Sequence, residues 1–257
     1  MNNKQQAIAF YTLLKHELTR MFRISSQVFL PAVITSALYF LIFGSIIGKK
    51  MGPINGAPYS LFIAPGLVMM SVITNAYGNV STSLFSARFQ RSIEEVLVSP
   101  ISNALLLTGF IIGGMLRGLI VAILVLVVSA FFVPMHFYSL PLMLFVVLLV
   151  AAIFSLAGFT NALFAKTFDN VMLVPTFILT PLTYLGGVFY STSMLDHIWT
   201  VLSHVNPIWY MVNALRYTVI GVSEASFDSA LYFMLSICVT LIVLNLWLLK
   251  KGVGLRE

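Results

Sequence analysis

The sequence has 257 residues, of which 60% are hydrophobic and only 9% are charged, and its formal net charge at pH 7 is +6. A soluble domain usually carries about 25% charged residues, so this composition excludes a water-soluble globular protein. The apolar runs are continuous instead of alternating with period two, which excludes a β-barrel and leaves membrane-spanning α-helices. The basic charge needs no nucleic-acid partner, because loops beside anionic lipid headgroups account for it.

The first predicted element, residues 4–24, is a polar amphipathic helix. Its apolar side carries Tyr11, Leu14, Leu18, Met21 and Phe22, and Lys15, Glu17, Thr19, Arg20 and Arg23 fall largely off that side. Such a helix lies in the inner headgroup layer with its apolar face in lipid. It is either a simple membrane anchor or a contact surface for a cytoplasmic partner.

A spanning helix needs about 20 mostly apolar residues, and charged and turn residues divide the chain into six such runs. The predicted spans are residues 28–48, 59–80, 105–133, 141–165, 171–190 and 230–249. Residues 193–221 are apolar only in patches, and we interpret them as short re-entrant helices at the outer surface. Lys and Arg residues near the span ends concentrate on one side, which predicts that both termini are cytoplasmic.

The loop after the second span predicts a short helix over residues 84–99, docked under the membrane. Its apolar face carries Phe85, Phe89, Ile93, Val96 and Leu97 at helical spacing, and its polar face carries Arg88, Arg91, Glu94 and Glu95. The polar face is either offered to a partner or merely solvated.

Two spans carry polar stripes that lipid would penalise, so both stripes are expected to face the protein interior. The second span has Ser71, Asn75, Gly78, Asn79 and Thr82, and the fifth has Thr176, Thr180, Thr183, Tyr184 and Gly187. Small and hydroxyl residues commonly hold membrane helices together. The alternative is that these stripes line a substrate path, which the two asparagines favour.

Arg117 is the one charged residue within a predicted span. Its long side chain could snorkel toward the cytoplasmic surface, or it could hold an anionic substrate headgroup or a partner carbonyl.

The predicted spans contain no Asp or Glu, which disfavours proton coupling. The sequence also lacks a G-x-x-x-x-G-K-[ST] phosphate-binding loop, and its four His residues have no metal-ligand spacing. We therefore expect no catalytic, metal or cofactor site in this chain. If the protein pumps a substrate, another polypeptide must supply the energy.

The run from Pro181 to Tyr217 resembles the signature region of ABC-2 type permeases, the membrane subunits of bacterial ATP-binding cassette exporters. The matching residues are Leu185, Gly186, Gly187 and Val188, then Asn206, Pro207, Ile208, Trp209 and Tyr210, and finally Arg216. Six spans, a flat N-terminal helix and a helix after the second span also match, so the resemblance covers essentially the whole chain. Asp196 departs from it, since the family usually has Pro or a small residue there.

The resemblance implies an all-α integral membrane permease in the bacterial inner membrane, with two copies packed around a central path that the second and fifth spans face. Two copies of a separate ATPase subunit would bind MgATP. The N-terminal helix, residues 84–99 as a coupling helix, and the loop 165–170 with Lys166 and Asp169 would seat that ATPase. Amphiphilic drugs, lipids, lipid-linked glycans and small secreted compounds all fit an aromatic-rich path. A membrane scaffold that recruits a partner without transport is the alternative reading.

Overall fold

A computed structural model describes residues 3–48, 50–98, 101–135 and 137–254, with the side chains of residues 3, 4, 96 and 97 left out. The predicted end of the coupling helix at residue 99 and the last three residues of the chain lie outside this description. The helices are α1 (Asn3–Arg23), α2 (Ser25–Tyr39), α3 (Tyr59–Phe89), α4 (Ser92–Val98), α5 (Asn103–Phe132), α6 (Leu140–Phe164), α7 (Phe168–Val174), α8 (Thr180–Tyr184), α9 (His197–Val205), α10 (Pro207–Ile220) and α11 (Phe227–Lys251).

Five helices in the described part of the chain are long and apolar enough to cross a membrane. They are Ser25–Ile47, Tyr59–Phe89, Asn103–Phe132, Leu140–Phe164 and Phe227–Lys251. The first of them is α2 together with a π-helical continuation over Phe40–Ile47. All five coincide with predicted spans, so the expectation of an all-helical membrane protein agrees with the structure for these segments.

The centre of the bundle is α3, which packs against α5, α6 and α10. Small residues allow the close approach of these helices, as is common between helices in membranes. A Cβ atom on Gly118 of α5 would lie 3.0 Å from the Ala151 side chain and 3.4 Å from that of Ala76. A Cβ on Gly158 of α6 would lie 2.5 Å from the Tyr77 carbonyl oxygen. Larger residues at these positions would force the helices apart.

The boundary between the second span and the coupling helix differs from the prediction. The helix α3 runs without interruption from Tyr59 to Phe89, so the first part of the predicted 84–99 helix belongs to it. The chain breaks at Arg91, whose φ of 58° lies in the left-handed region, and α4 has only 7 residues. Apolar residues continue in the same helical phase across position 80, so the sequence contains no signal for the end that we predicted there.

The predicted fifth span is a broken helix. It consists of α7, a π-helical segment over Pro175–Leu179, and α8, which have 7, 5 and 5 residues. Because Pro175 has no N–H, the carbonyl of Val171 loses its intrahelical partner. The Asn161 side chain of α6 compensates by donating a hydrogen bond to that carbonyl at 2.9 Å.

This broken helix passes along the whole length of α3. At its start, the Phe168 ring lies 4.7 Å from the ring of Phe85, near the end of α3. After its end, the carbonyl of Phe189 accepts a hydrogen bond of 2.9 Å from the hydroxyl of Tyr59, the first residue of α3. The chain between residues 168 and 189 therefore connects the two ends of the bundle.

The first and last helices both contribute to one apolar cluster at one end of the bundle. Leu13 of α1 and Leu248 and Leu249 of α11 belong to the same apolar cluster as Leu163 of α6 and Phe85 of α3. We refer to this as the α6 end, because α6 finishes there. The start of α3 marks the opposite end.

Candidate functional site

An aromatic cluster at the α6 end joins the two loops that were predicted to contact a partner. The ring of Phe168, the first residue of α7, lies 4.7 Å from Phe85 and 5.3 Å from Phe89 of α3, measured between ring centroids. Phe85 is buried, whereas Phe89 is 67% exposed. The structure therefore brings together two segments that are far apart in the sequence, and it leaves an aromatic ring on their common surface.

Arg88 anchors this surface to α6. Its guanidinium donates hydrogen bonds to the carbonyls of Ala162, Leu163 and Ala165, the latter two at 3.1 and 3.3 Å. The last carbonyls of a helix have no intrahelical partners and carry partial negative charge, so an arginine stabilises them. Arg88, which we predicted on the polar face of the coupling helix, therefore contacts its own chain.

The remaining predicted contact residues form a charged rim around the aromatic cluster. They are Arg91, Glu94, Glu95, Lys166 and Asp169, and all five are exposed. The buried side chain of Ile93 fixes α4 against the bundle. The rim thus presents both signs of charge on a surface that packing holds in place.

A buried ionic network connects α1 to the bundle, and it corrects the predicted orientation of that helix. The buried stripe of α1 consists of Leu13, Glu17 and Met21, whereas Tyr11 and Phe22 are 65% and 59% exposed. The Glu17 carboxylate is 2% exposed and accepts a hydrogen bond of 2.6 Å from Ser83 of α3. The sequence pattern predicts Glu17 on the polar side, but its spacing of four residues from both Leu13 and Met21 is that of the buried stripe.

The network continues through two arginines to the polar stripe of α3. Arg20 Nη2 lies 3.2 Å from Glu17 Oε2 and donates to Asn79 Oδ1 at 2.8 Å. Arg117 of α5 donates to the same Asn79 oxygen and to Asn75 Oδ1, both at 3.3 Å. The guanidinium of Arg117 therefore bonds two amide oxygens within the bundle, and Asn79 is 1% exposed at the junction of three helices.

The other members of the predicted stripes lie in different surroundings. Ser71 and Asn75 line a groove of about 140 Å³ between α2 and α3. Thr176 and Thr180 are exposed, and Thr183 is buried. Tyr184 is 42% exposed and its hydroxyl lies 3.0 Å from that of Tyr39 in α2, which ties the broken helix to the first span.

At the opposite end, Arg216 holds the signature region together. It is 1% exposed, and its guanidinium donates to the carbonyl of Gly187 at 2.7 Å and to Asn213 Oδ1 at 3.3 Å. The same group lies 3.8 Å above the centroid of the Phe62 ring in α3. Gly187 has a φ of 72°, a conformation that a side chain would strain. Arg216 therefore joins α10, α3 and the glycine turn.

The start of α10 is fixed as its sequence predicts. Asn206 Oδ1 accepts a hydrogen bond of 2.9 Å from the backbone N–H of Ile208, and Pro207 occupies the first helical turn. The Asn206 amide also donates to the carbonyl of Leu182 at 2.5 Å. Gly186 allows this contact, since a Cβ there would lie 2.8 Å from the Ile208 side chain.

Two other residues of the signature region complete the description of this end. The Tyr210 ring lies 4.9 Å from the Trp209 ring and 4.9 Å from the Phe233 ring, so it packs α10 against α11. Asp196 occupies the N-cap position of α9, and its backbone carbonyl accepts from the N–H of Thr200 at 3.0 Å. An acidic residue suits the positive end of a helix dipole.

Glu224 closes the loop that follows α10. Its carboxylate accepts from the backbone N–H of Thr192 at 3.0 Å and from the Thr192 hydroxyl. Burial raises the pKa of Glu224. The hydrogen bonds from Ser191 and Thr192 and the charge of Arg216 lower it by a larger amount, so the pKa lies below its ordinary value. The carboxylate is therefore held in its charged form.

Comparison with known proteins identifies related membrane proteins. A family model described as "ABC-2 type transporter" matches residues 8–220. "Inner membrane transport permease YadH" of Escherichia coli (strain K12) is 47% identical over 250 residues, which cover 97% of this chain and 98% of that protein. "Nodulation protein J" of Sinorhizobium fredii (strain NBRC 101917 / NGR234) is 27% identical over 186 residues, covering 70% of this chain and 69% of that protein.

Proposed function

Because this chain belongs to the ABC-2 type transporter family, we propose that it is the permease subunit of an ATP-driven exporter in a bacterial inner membrane. The ATP would be hydrolysed by a separate subunit, since the sequence contains no phosphate-binding loop. The observation that carries the proposal is the aromatic and charged surface at the α6 end. There, two loops predicted to contact an ATPase meet around exposed Phe89 within a charged rim.

The proposed topology has six crossings with both termini in the cytoplasm. Five crossings are the long apolar helices, and the broken helix 168–184 provides the remaining one. Its three pieces would span about 25 Å at the usual helical rise, and the turn 185–190 adds the rest of the way. An even number of crossings agrees with the position of α1 and the end of α11 in the same apolar cluster at the α6 end.

This topology is tested by single cysteines placed at Asn3 and Glu257 of a Cys238→Ser variant. A membrane-impermeant maleimide should label either site only after the cells are opened. A matched cysteine at Asn55, in the turn between the first two spans, should be labelled in intact cells. Labelling of Asn3 or Glu257 sites in intact cells would contradict the proposed topology.

We further propose that two copies assemble around a path that α3 and the broken helix line. The exposed side chains of Thr176, Phe177 and Thr180 leave one face of the broken helix available for a second copy. The names of the relatives support transport, because one is a transport permease, but they fix no substrate for this chain. Amphiphilic drugs, lipids, lipid-linked glycans and small secreted compounds are the classes that aromatic and hydroxyl side chains would accommodate.

The coupling role is tested by replacing Arg91, Glu94 and Glu95 together with Ala in vesicles that contain the purified ATPase. Permease-dependent, vanadate-sensitive ATP hydrolysis should fall severalfold, because charged pairs across an interface provide steering and specific contacts. The helices should still insert, since all three side chains are exposed away from the core.

The matched control removes the same number of positive and negative charges from the opposite end of the bundle. Replacement of Lys50, Asp196 and Asp228 with Ala also eliminates one cation and two carboxylates from exposed positions. This control should retain ATP hydrolysis. If both triple variants lower ATP hydrolysis equally, the charged rim has no specific role. If ATP hydrolysis does not depend on the permease at all, the scaffold interpretation replaces export.

A further inference from the structure

The cluster around Asn79 carries an excess of partly buried positive charge. Arg20 and Arg117 donate to the same Asn79 oxygen, so their guanidinium groups lie within a few ångströms of each other. Within the described residues, their one ion pair is that between Arg20 and Glu17. Two cations therefore share one carboxylate.

The same cluster has donors without acceptors. The Nε atoms of Arg20 and Arg117 and the Nδ2 atom of Asn79 are buried and have no hydrogen-bond partner within the described part of the chain. Buried polar groups are normally paired, because an unmade hydrogen bond is costly in a low dielectric. All three unpaired groups are N–H donors, so the cluster is complementary to a ligand that brings oxygen acceptors and negative charge.

Asn75 connects this cluster to the groove between α2 and α3. Its Oδ1 accepts from Arg117 at 3.3 Å, and the residue itself lines the groove. The other lining residues are hydroxyl or apolar: Thr35, Ser36, Tyr39, Leu67, Met70, Ser71 and Thr74. The groove volume of about 140 Å³ equals a few water molecules at about 30 Å³ each, which suits a small headgroup.

We propose that this groove binds the anionic headgroup, a phosphate or carboxylate, of an amphiphilic molecule. Arg117 supplies the charge when the headgroup replaces Asn75 as its acceptor. The apolar tail lies along α2, where Leu38 and Leu41 are 53% and 49% exposed. The inference deepens the proposed function, since an exporter's cargo would use this site, but binding itself requires no ATPase.

The decisive variant is Asn75→Asp. It is nearly isosteric and places a carboxylate beside Arg117. It also removes the hydrogen bond of 3.0 Å from Asn75 Nδ2 to the Ser71 carbonyl within the same helix, and we expect it to preserve the fold while neutralising the site. Native mass spectrometry of the purified permease, titrated with phosphatidylglycerol and separately with phosphatidylethanolamine, measures headgroup selectivity. The wild type should prefer phosphatidylglycerol, and Asn75→Asp should reduce its retention about tenfold, the loss expected for one charge-assisted contact.

A matched control makes the same chemical change at the exposed start of α5. Asn103→Asp adds an identical charge far from the groove and should leave phosphatidylglycerol retention unchanged. Equal retention by the wild type and Asn75→Asp would overturn the proposal, and so would equal losses in the two Asp variants. A loss in Arg117→Gln without change in thermal stability would support it.

Two further arms identify the source of the anion. Displacement of phosphatidylglycerol by millimolar inorganic phosphate would overturn an amphiphile site, because a free anion would then suffice. Stimulation of ATP hydrolysis by the bound lipid in the reconstituted complex would identify cargo, and binding without stimulation would identify a resident lipid. Both of these support the site. Since the binding assay contains no ATPase, failure of the export proposal would leave its result unchanged.

Discussion

Removal of the Arg216 guanidinium should destabilise the junction at the end opposite α6 more than any other single substitution there. The side chain is 1% exposed, bonds the Gly187 carbonyl at 2.7 Å and Asn213 Oδ1 at 3.3 Å, and lies over the Phe62 ring. Arg216→Ala removes the donor of the Gly187 carbonyl, leaves Asn213 Oδ1 with the backbone N–H of Glu224 at 3.1 Å, and removes the cation that balances Glu224. Breaking a buried charged arrangement in this way costs about 3–5 kcal/mol.

The lysine variant separates charge from geometry. Arg216→Lys keeps a cation, but a single ammonium group cannot reproduce the planar fork that reaches Gly187 and Asn213 together. We expect a loss of about 1.5–3 kcal/mol, the value of one hydrogen bond to a charged group. The assay is the unfolding free energy of the purified permease in mixed detergent micelles, with far-UV circular dichroism as the readout.

Two results would refute this reasoning. If Arg216→Lys were as stable as the wild type, a point charge would suffice and the fork geometry would be irrelevant. If Arg216→Ala cost less than about 1 kcal/mol, the interior would have to be solvated enough to satisfy the abandoned Gly187 carbonyl. An Asn213→Ala background provides the control, because the two losses should then be clearly non-additive.

Three other predictions follow from single contacts. Asn161→Ala should cost about 1–3 kcal/mol of stability by leaving the Val171 carbonyl unpaired. In a Pro175→Ala background, which restores a backbone donor, the same change should cost much less in thermal unfolding. An equal cost in the two backgrounds would contradict the explanation. Arg88→Gln should lower stability by about 0.5–2 kcal/mol through loss of the α6 cap, measurable as a lower thermal midpoint, whereas Arg91→Gln at an exposed site should not. Because the pKa of Glu224 is lowered in the folded state, its stabilisation is complete above its ordinary pKa and is lost as pH falls below that value. The thermal midpoint should therefore fall more between pH 7 and pH 3.5 in the wild type than in Glu224→Gln, and parallel titrations of the two proteins would refute the assignment.

Local sequence rules account for the helix ends that chemistry marks clearly. Asn206 and Pro207 begin α10, and Gly221 ends it with a φ of 74°. The end of α3 was predicted wrongly, because nothing near residue 80 interrupts its helical pattern, and the break at Arg91 depends on packing at the α6 end. The predicted fifth span is helical but is not among the five helices long enough to cross a membrane, and its division into three pieces accompanies the Asn161 side chain, which replaces a lost backbone donor.

The sequence by itself determined that this protein folds in lipid. In lipid the backbone N–H and C=O groups of so apolar a chain must pair with each other, and helices are the result. The sequence also predicted that Asn75 and Asn79 face the protein interior, but the same expectation is wrong for Thr176 and Thr180, which are exposed, and the surroundings of Arg117 stayed open. The tertiary structure decided the partners of these polar residues. Glu17 is buried because Ser83 and Arg20 reach it, and a carboxylate's environment depends on side chains 66 residues away that no local periodicity reveals. Hydrophobic burial is additive and can be read along a chain, whereas pairing of buried charges depends on three-dimensional positions.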